Sequence, residues 1–512
     1  MTTTLTLTAE QKAIMAAQED LVAITAYAGT GKTFTLKVFA ENHPREKILY
    51  LAFNKALAED SKNDFKACPN VLVKTIHSLA YAHVGNKYAK TIGEIKALTL
   101  IPYVKDGKSA SKDDEYLLAK EVNQCLNDFF MSSSSSIEQF FKDNKHKTKV
   151  KLDGSRKKPK DISKIVLKVW NDSINGNFHM PHNGYLKIFQ MNHADSLDTY
   201  DRILVDEAQD LNDCMISLIT GCRAKKIFVG DPFQQIYAFN GAVNALSKKA
   251  LSGAATYYLT QSFRCPREIA QLANNYLTLL EAPKPFTGVA KAKPNQGASG
   301  KLLIARTNAG LFDFVAKNID QNRFFYNGGF ESYQFEIILD LVNLLNNKQH
   351  FIKDAFVKQF DSIEEIENYA EKVNDTVCAT RLKIAKRYQK EAFFIYKKML
   401  NNKTDEYSAD YIATTAHKIK GREYGQVVLL EDFINLDEVL ALAYKLKKIK
   451  EEKGQLPESF PCLVNLEELR LLYMAITRSK DSLEIPKQYQ LTQDIMDQFQ
   501  ELVMEGYIEL ID

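Results

Sequence analysis

Apolar and polar residues alternate along this chain in a pattern that predicts a layered α/β fold. Short apolar runs stand between longer segments in which apolar residues recur at helical spacing. The runs fall at 21–26, 47–52, 71–75, 202–206, 226–230, 301–306, 410–415 and 426–431. Strands separated by helices form parallel βαβ units, and such sheets bind ligands at the carboxyl ends of their strands. We therefore expect two parallel-sheet domains with ligand sites at those ends.

Two stretches interrupt this pattern, and we interpret each as a mainly helical insertion. One lies inside the first sheet domain, and a smaller one lies inside the second. The last residues combine several acids with apolar positions at helical spacing, which predicts a C-terminal acidic helix. The predicted boundaries are 1–82 and 197–272 for the first domain, 83–196 for its insertion, 273–345 and 407–490 for the second domain, 346–406 for its insertion, and 491–512 for the acidic helix.

Residues 26–33 read AYAGTGKT and have the pattern of a phosphate-binding loop. In such a loop the backbone N–H groups of small residues surround an anion at a helix N-terminus, here those of Ala28, Gly29, Thr30 and Gly31. Lys32 would then reach the β- and γ-phosphates, and the Thr33 hydroxyl would bind Mg²⁺. Ala26 replaces the first glycine of the usual pattern, so a glycine-rich turn arising by chance is the alternative for this segment alone.

Two adjacent carboxylates support the interpretation of residues 26–33 as a phosphate-binding loop. Asp206 and Glu207 end the apolar run 202–206. Asp206 would hold the Mg²⁺ shell, and Glu207 would take a proton from the attacking water. A strand that ends in two solvated acids is common by itself. A phosphate loop upstream in the same chain makes nucleotide hydrolysis the favoured interpretation.

In order along the chain, the motifs resemble those of superfamily 1 DNA helicases of the UvrD/Rep type, and within that group the F-box DNA helicase branch, here without an F-box. This family implies two RecA-like parallel-sheet motor domains, each with a mainly helical insertion. The resembling segments span residues 8 to 485. Besides the two motifs above, they are Thr8–Gln11, Phe53–Ala56, Thr75–Ser78, Val229–Phe239, Gln261–Arg264, Ile304–Asn308, Tyr326–Gly329, Thr415–Tyr424 and Leu472–Arg478.

The resemblance assigns three residues to the adenosine part of ATP. The Gln11 amide would read adenine, the Phe263 ring would stack on it, and Glu423 would accept a hydrogen bond from the ribose hydroxyl. Phe263 as an ordinary core residue is the alternative, since buried aromatic residues are common.

Three further residues would act at the γ-phosphate. Gln234 would sense that phosphate or orient the attacking water. Arg264 and Arg478 would be the two arginine fingers, because a guanidinium fork can neutralise the charge that spreads over the transferred phosphoryl group. Outside these motifs, each would more simply be a surface arginine.

The family's DNA contacts fall on six residues of this sequence: Phe53, Asn54, His77, Tyr237, Phe239 and His417. Tyr237 and Phe239 would present rings to successive bases, although core packing of Tyr237 remains open. The two histidines would contact the DNA backbone or link motifs. Asn240 stands where the family usually has arginine, which removes one cationic link between nucleotide and DNA. Arg422 replaces a usually apolar residue.

Composition fits a multidomain protein of the cell interior. The 512 residues are 45% hydrophobic, with a net charge of +3, so DNA binding must depend on local basic patches. Seven cysteines without a CxxC pair indicate a reducing compartment. The N-terminus does not have the pattern of a signal peptide, and no run reaches the length of a membrane span. We expect an intracellular protein, cytoplasmic if bacterial or viral and nuclear if eukaryotic.

Residues 142–168 are the most basic patch, with 11 Lys or Arg against three Asp, just after Phe140 and Phe141. A basic run beside aromatic residues suits a phosphate backbone, and a solvated face is the alternative. The RKKPK at 156–160 also has the composition of a nuclear import signal.

Together these features predict an ATP- and Mg²⁺-dependent 3′–5′ DNA helicase or translocase. Its partners would be single-stranded DNA and junctions of single- and double-stranded DNA, in repair, recombination or defence against foreign DNA. It would be a monomer unless a protein partner such as a nuclease or a repair factor binds it. The alternative is a DNA-stimulated ATPase that remodels protein–DNA complexes or gates a partner nuclease with little unwinding.

Overall fold

The computed structural model divides the chain into two compact units. They are Met1–Ala26 with Gly31–Leu259, and Tyr27–Thr30 with Thr260–Asp512. This division lies before the expected boundary at residue 272, and the finer division into motor domains and insertions stays a prediction. The described residues are 6–105, 112–150, 159–236, 244–247, 251–291, 300–372, 375–454 and 461–511.

A parallel sheet forms the centre of the first unit. Its strands run in the order β3-β2-β6-β7-β1-β8, and all neighbouring pairs are parallel. The strands of this unit are β1 (Leu21–Ala26), β2 (Ile48–Ala52), β3 (Val71–Thr75), β4 (Lys149–Val150), β5 (Lys160–Asp161), β6 (Arg202–Val205), β7 (Lys225–Gly230) and β8 (Ala255–Leu259). Five of the apolar runs are strands within about one residue of prediction, whereas the edge strand β8 was not predicted.

Helices cover both faces of this sheet. Successive strand residues alternate between two apolar cores: Leu49 and Val205 belong to one, and Tyr50 and Leu204 belong to the other. A sheet buried on both faces explains why its strands read as continuous apolar runs. The helices of this unit are α1 (Ala9–Met15), α2 (Lys32–Asn42), α3 (Lys55–Asp64), α4 (Ile76–His83), α5 (Ala97–Val104), α6 (Lys112–Met131), α7 (Ile137–Asp143), α8 (Ser163–Ile174), α9 (His182–Asn192) and α10 (Asp213–Thr220).

Residues 83–196, the predicted first insertion, are mainly helical in their described part and share a core with the sheet. Helices α5 to α9 occupy this stretch, and the short antiparallel pair β4–β5 lies within the basic run. Phe140 is buried and packs against Phe129, so the idea that it flanks a DNA surface was wrong. Its ring fills the core because α7 turns that side chain inward. Residues 151–158 of the basic run lie outside the described residues.

A second parallel sheet organises the second unit, in the order β12-β13-β11-β14-β16. β9 pairs with β10, and β15 pairs with β17. The three predicted strands of this unit are present as β11, β13 and β14. The strands are β9 (Gln261–Ser262), β10 (Thr287–Gly288), β11 (Lys301–Ala305), β12 (Phe324–Tyr326), β13 (Tyr411–Thr415), β14 (Tyr424–Leu429), β15 (Cys462–Asn465), β16 (Ser479–Glu484) and β17 (Ile508–Ile511).

The helices of the second unit include those of the predicted small insertion, α14 to α16. The expected C-terminal helix is α19, but the chain then continues into β17, a strand that was not predicted because its four residues carry little periodicity. The helices are α11 (Arg267–Leu279), α12 (Asn308–Asn318), α13 (Glu336–Leu345), α14 (Ile363–Lys372), α15 (Thr376–Tyr388), α16 (Glu391–Asn402), α17 (Leu436–Lys453), α18 (Leu466–Ile476) and α19 (Gln493–Met504).

Candidate functional site

The phosphate loop and the carboxylate pair both lie where parallel strands end. β1 ends at Ala26 and α2 begins at Lys32, so residues 27–31 form the turn between them. Gly29 and Gly31 have φ values of +67° and +81°, in the left-handed region that glycine adopts without steric cost. The first N–H groups of a helix have no partner within the helix, and the helix dipole favours an anion there. The turn therefore has the backbone geometry of a phosphate cradle.

Lys32 lies beside the carboxylate that was predicted as general base. Its Nζ is 3.6 Å from Glu207 Oε1, and both side chains are largely buried. The Gln209 amide donates to Glu207 Oε2 over 2.5 Å, and Gln209 Oε1 accepts from the Asp231 N–H over 3.1 Å. A Cβ at Gly230 would lie 2.3 Å from Gln209 Oε1, so this approach requires glycine there. Sequence reasoning missed the role of Gln209 in positioning Glu207, although it lies in the same motif.

Thr33 and Asp206 offer neighbouring oxygen atoms, as expected of Mg²⁺ ligands. Thr33 Oγ1 donates to Asp206 Oδ2 over 3.3 Å, and Tyr50 Oη donates to the same oxygen over 2.5 Å. Burial and then the neighbouring charge of Glu207 raise the pKa of Asp206 above its usual value. A cation would relieve both effects. Mg²⁺ keeps several waters and takes few protein ligands beside phosphate oxygens, so a hydroxyl and one carboxylate fit it.

Tyr50 was not predicted as part of this site. It lies in the apolar run of β2, whose register places it opposite Leu204. Burial and Asp206 raise the pKa of its phenol, so Tyr50 stays a neutral donor. Nothing in the local pattern indicates this contact, because it depends on the pairing of two distant strands.

Gln11 and Gln234 both have buried, hydrogen-bonded amides. Gln11 forms a capping box with Thr8, and its Nε2 donates to Thr35 Oγ1 of α2 over 3.2 Å. A Cβ at Gly31 would lie 3.5 Å from that Nε2, so Gln11 lies directly beside the start of α2. Gln234 donates to Asp231 Oδ2 over 2.6 Å, after the end of β7. These bonds hold both amides in place. The nucleotide contacts expected of Gln11 and Gln234 stay predictions.

The predicted DNA contacts of the first unit follow β2 and β3. Phe53 and Asn54 follow β2, and Asn54 Oδ1 caps α3 by accepting from the Leu57 N–H over 2.9 Å. His77, in the first turn of α4, bonds through Nε2 to Asn183 Oδ1 over 3.1 Å. Burial lowers the pKa of His77, and the Asn183 bond only partly opposes this effect. The ring is therefore neutral at pH 7. Tyr237, Phe239 and Asn240 lie outside the described residues.

In the second unit, Arg264 forms an ion pair with the residue that was predicted to accept from ribose. Its Nε donates to Glu423 Oε2, and its Nη1 donates to the Thr477 carbonyl over 3.3 Å. Lys480 Nζ lies 3.5 Å from the other Glu423 oxygen. Burial alone would raise the pKa of Glu423, but Arg264 and Lys480 together lower it below its usual value. Glu423 is thus a carboxylate at neutral pH.

The second predicted finger, Arg478, is held by backbone carbonyls. It is 2% exposed, and its Nε donates to the Met474 carbonyl over 3.0 Å while Nη1 donates to the Arg422 carbonyl over 3.2 Å. Such bonds fix the guanidinium group without neutralising its charge. Arg422 therefore contributes its backbone here, and its own side chain lies 3.8 Å from Glu406 Oε2.

The ring of Phe263 is 51% exposed, which excludes ordinary core packing and leaves stacking on adenine as a prediction. Its N–H donates to the Gly29 carbonyl over 2.9 Å. A Cβ at Gly29 would lie 2.4 Å from Arg264 Cβ, so only glycine fits at this point of the loop. The Ala28 N–H donates to Tyr473 Oη over 3.2 Å, a contact that sequence reasoning missed.

His417, the predicted DNA contact of the second unit, follows β13. Its Nε2 lies 3.4 Å from Glu467 Oε1. Nearby along the same edge of the sheet, Arg306 follows β11 and forms a bidentate pair with Glu468, with bonds of 2.5 to 3.0 Å. Among the described residues there is no group of three His, Cys, Asp or Glu side chains placed to hold a metal ion.

A parallel sheet with a phosphate loop after one strand and adjacent carboxylates after another defines the class of P-loop nucleotide-binding proteins. Residues 7–252 match the family model of the UvrD/REP helicase N-terminal domain. The chain is therefore similar to the UvrD-like helicases of superfamily 1 over nearly half of its length.

Several DNA helicases are similar to this chain over much of its length. F-box DNA helicase 1 of Gallus gallus is 30% identical over 508 residues, which cover 93% of this chain and 48% of the relative. F-box DNA helicase protein 1 of Schizosaccharomyces pombe is 28% identical over 93% of this chain and 57% of its own length. A probable DNA helicase II homolog of Mycoplasma capricolum is 25% identical over 50% of this chain and 38% of the relative. The chain thus spans about half the length of the first two relatives.

Proposed function

We propose that this protein is an ATP-dependent DNA helicase or translocase that moves 3′ to 5′ along single-stranded DNA. The observation that carries the proposal is the group formed by Lys32, Thr33, Asp206 and Glu207 at the carboxyl ends of β1 and β6. It combines a phosphate cation, a hydroxyl–carboxylate pair for Mg²⁺ and a candidate general base. The 3′–5′ direction and the DNA substrate rest on the similarity to UvrD-like and F-box DNA helicases.

Hydrolysis would begin with an exchange of partners at Lys32. Lys32 Nζ lies 3.6 Å from Glu207 Oε1 in the structure. An arriving β/γ-phosphate would take Lys32, and the charge of Glu207 would then be available to accept the proton of the attacking water. Gln209 would keep the carboxylate oriented. Mg²⁺, held by Thr33 and Asp206, would supply positive charge to the phosphate oxygens.

Residues of the second unit carry the other nucleotide roles that the family resemblance predicts. Arg264 and Arg478 would stabilise charge on the transferred phosphoryl group, where a fixed guanidinium costs no reorganisation during the reaction. Phe263 would stack on adenine, and Glu423 would accept from the ribose. Gln11 would read the adenine edge, and Gln234 would sense the γ-phosphate. These roles follow the family resemblance, and the exposed ring of Phe263 and the buried guanidinium of Arg478 are compatible with them.

DNA contacts would come from Phe53, Asn54, His77 and His417, with Tyr237 and Phe239 stacking on bases. Because His77 is neutral at pH 7, it would act as a hydrogen-bonding group rather than a cation. The basic residues between 142 and 168 would guide the strand or the duplex at a junction. We expect roles in DNA repair, recombination or defence against foreign DNA.

The cellular setting that we propose is a reducing compartment. All seven cysteines are free and buried, as expected of thiols that do not form disulfides. No helix in the described part of the chain has both the length and the apolar composition to cross a bilayer. We propose that the protein acts inside the cell, in the cytoplasm if bacterial or viral and in the nucleus if eukaryotic, and as a monomer unless a partner protein binds.

Strand displacement measured beside ATP hydrolysis tests this function. We expect ATP-dependent separation of a duplex that carries a 3′ single-stranded tail and little separation of one with a 5′ tail. The Lys32→Ala variant, which lacks the phosphate cation, is the matched control and should separate neither. DNA-stimulated hydrolysis without separation of either duplex would contradict the proposal. That result would favour a DNA-stimulated ATPase that remodels protein–DNA complexes or gates a nuclease.

A further inference from the structure

Two adjacent phenylalanines are exposed on α16, in the second unit. The inner side of this helix buries Ala392, Ile395 and Met399, whereas Phe394 is 62% exposed and Phe393 is 40% exposed. Water contact at an aromatic ring is unfavourable, and neighbouring exposed rings therefore indicate a binding surface more strongly than a single one does. We call this side of the helix, with Lys390, Phe393, Phe394 and Lys397, the α16 outer face.

Lysines surround the ring of Phe394 on this face. Lys390 precedes Phe394 by one helical turn, and Lys397 and Lys398 follow it by one turn, so all three are its neighbours on the helix surface. Lys398 Nζ lies 4.8 Å from the ring centroid and 2.6 Å from Asp320 Oδ1. Within the described residues, neither Lys390 nor Lys397 forms an ion pair. Glu391 is the one acid in the sequence of α16. The face is therefore cationic around an aromatic centre.

The N-terminal half of α16 lies near the end of the sheet where the predicted DNA contacts of this unit occur. Tyr396 donates a hydrogen bond to Glu336 and packs against Phe330, with ring centroids 5.5 Å apart. Phe330 comes just after β12, at the carboxyl end of that strand. His417 follows β13, the neighbour of β12, at the same edge of the sheet. The predicted DNA contact His417 and the N-terminal half of α16 thus lie at the same end of this sheet.

We propose that the α16 outer face binds single-stranded DNA, with Phe394 and Phe393 stacking on bases and Lys390 and Lys397 contacting the flanking phosphates. Exposed aromatic rings among lysines are the usual chemistry of sequence-tolerant single-strand binding, because every base offers a π-face. The complementary charge favours a nucleic acid over an apolar or basic protein segment. This inference rests on the proposed function and gives the small second insertion a DNA contact of its own.

Binding of labelled oligothymidine by the full chain tests the inference. We expect Phe394→Ala to weaken binding about tenfold, as expected for loss of one stacked base. Phe394→Trp should preserve binding, and its new indole emission should fall when the oligonucleotide stacks on it. Phe351→Ala is the control, because that ring is 56% exposed but lies outside the α16 outer face. Since both rings are exposed, both alanine variants should keep the wild-type unfolding temperature.

The salt dependence of oligothymidine binding distinguishes the phosphate contacts of the lysines from the base stacking of the phenylalanine rings. The Lys390→Gln, Lys397→Gln double variant should lower the slope of log affinity against log salt by about 0.7 for each lost phosphate contact, whereas Phe394→Ala should leave the slope unchanged. Equal oligothymidine affinity of wild type, Phe394→Ala and Phe351→Ala would overturn the inference while leaving the proposed function intact. If the wild type fails to bind oligothymidine at all, the proposed function itself fails.

Discussion

At Glu207 the backbone has a φ of +52°, in the left-handed region that a residue with a Cβ adopts at a cost of about 1–2 kcal/mol. Strain of this kind persists where surrounding contacts fix the residue, and it concentrates at functional sites. Here Gln209 holds the Glu207 side chain, and the Glu207 N–H donates to Asp206 Oδ1 over 2.8 Å. The strained backbone thus brings the candidate general base and the candidate Mg²⁺ ligand into one small group.

The charge of Asp206 should make the nucleotide-free protein less stable than it would be without that charge. Burial raises the pKa of Asp206 in the folded state. The protonated carboxyl therefore contributes to the free energy of unfolding at low pH, and this contribution is lost as pH rises through the folded-state pKa. Asp206→Asn should therefore raise the unfolding temperature at pH 8 by about 2–4 °C, and the gain should shrink as pH falls. The Thr33 and Tyr50 hydroxyls can rotate to accept from the new amide.

Thermal unfolding without nucleotide or Mg²⁺, followed across pH, measures this effect. Asp60→Asn, at an exposed position of α3, is the control and should leave the unfolding temperature nearly unchanged. A lower unfolding temperature of Asp206→Asn at pH 8 would show that Lys32 and Tyr50 already compensate the charge in full.

Among the strands, the central ones buried on both faces were predicted, and so was the edge strand β3, because its run is apolar. The central strands β1, β6 and β7 read as unbroken apolar runs, because helices cover both sides of the sheet. The edge strands β8 and β16 were missed, and β16 reads SKDSLE, a polar segment that becomes a strand by pairing with β14. Such pairing depends on tertiary context, which overrides local propensity.

In the candidate site, too, contacts between residues far apart in the sequence were not predicted. The order of the motifs gave Lys32, Thr33, Asp206 and Glu207 as one group, since a phosphate loop and a strand-end carboxylate pair have a known relation in parallel sheets. The bond from Tyr50 to Asp206 and the ion pair from Arg264 to Glu423 join residues 156 and 159 positions apart. No local pattern encodes such contacts.

Helix α18 should depend on one ion pair at its first turn. Glu468 accepts hydrogen bonds from both Nε and Nη2 of Arg306, and both side chains are mostly buried. Glu468→Gln should lower the free energy of unfolding by about 1–2 kcal/mol, because it removes the charge that pairs with a desolvated guanidinium group. Glu467→Gln is a matched control: it removes an acid from the same helical turn, but Glu467 lies 3.4 Å from His417, whereas Glu468 forms the bidentate pair with Arg306.

Denaturant unfolding of the two variants gives the comparison. The Glu468→Gln variant should unfold at a clearly lower denaturant concentration than Glu467→Gln. Equal shifts would mean that the interaction of both acids with the helix dipole, rather than the Arg306 pair, stabilises the start of α18.

At the scale of the whole molecule, each unit carries its own set of candidate nucleotide and DNA residues. The first has Lys32, Thr33 and the two carboxylates, and the second has residues 27–30 of the phosphate loop, the two arginines, Glu423 and Phe263. The division of motifs between two parallel sheets was predictable from the order of apolar runs. The division after Leu259 follows from packing rather than from a change in composition, and the domain boundaries expected from the sequence stay predictions.

The measurement that tests the account most directly is ATP turnover of Glu207→Gln in the presence of single-stranded DNA. The variant should still bind ATP and DNA, because glutamine preserves the shape of the side chain and the bond from Gln209. Turnover should fall by about 10²-fold or more, as expected when a general base is removed. Near-normal turnover would contradict the assignment of Glu207 and, with it, the proposed hydrolytic site at the ends of β1 and β6.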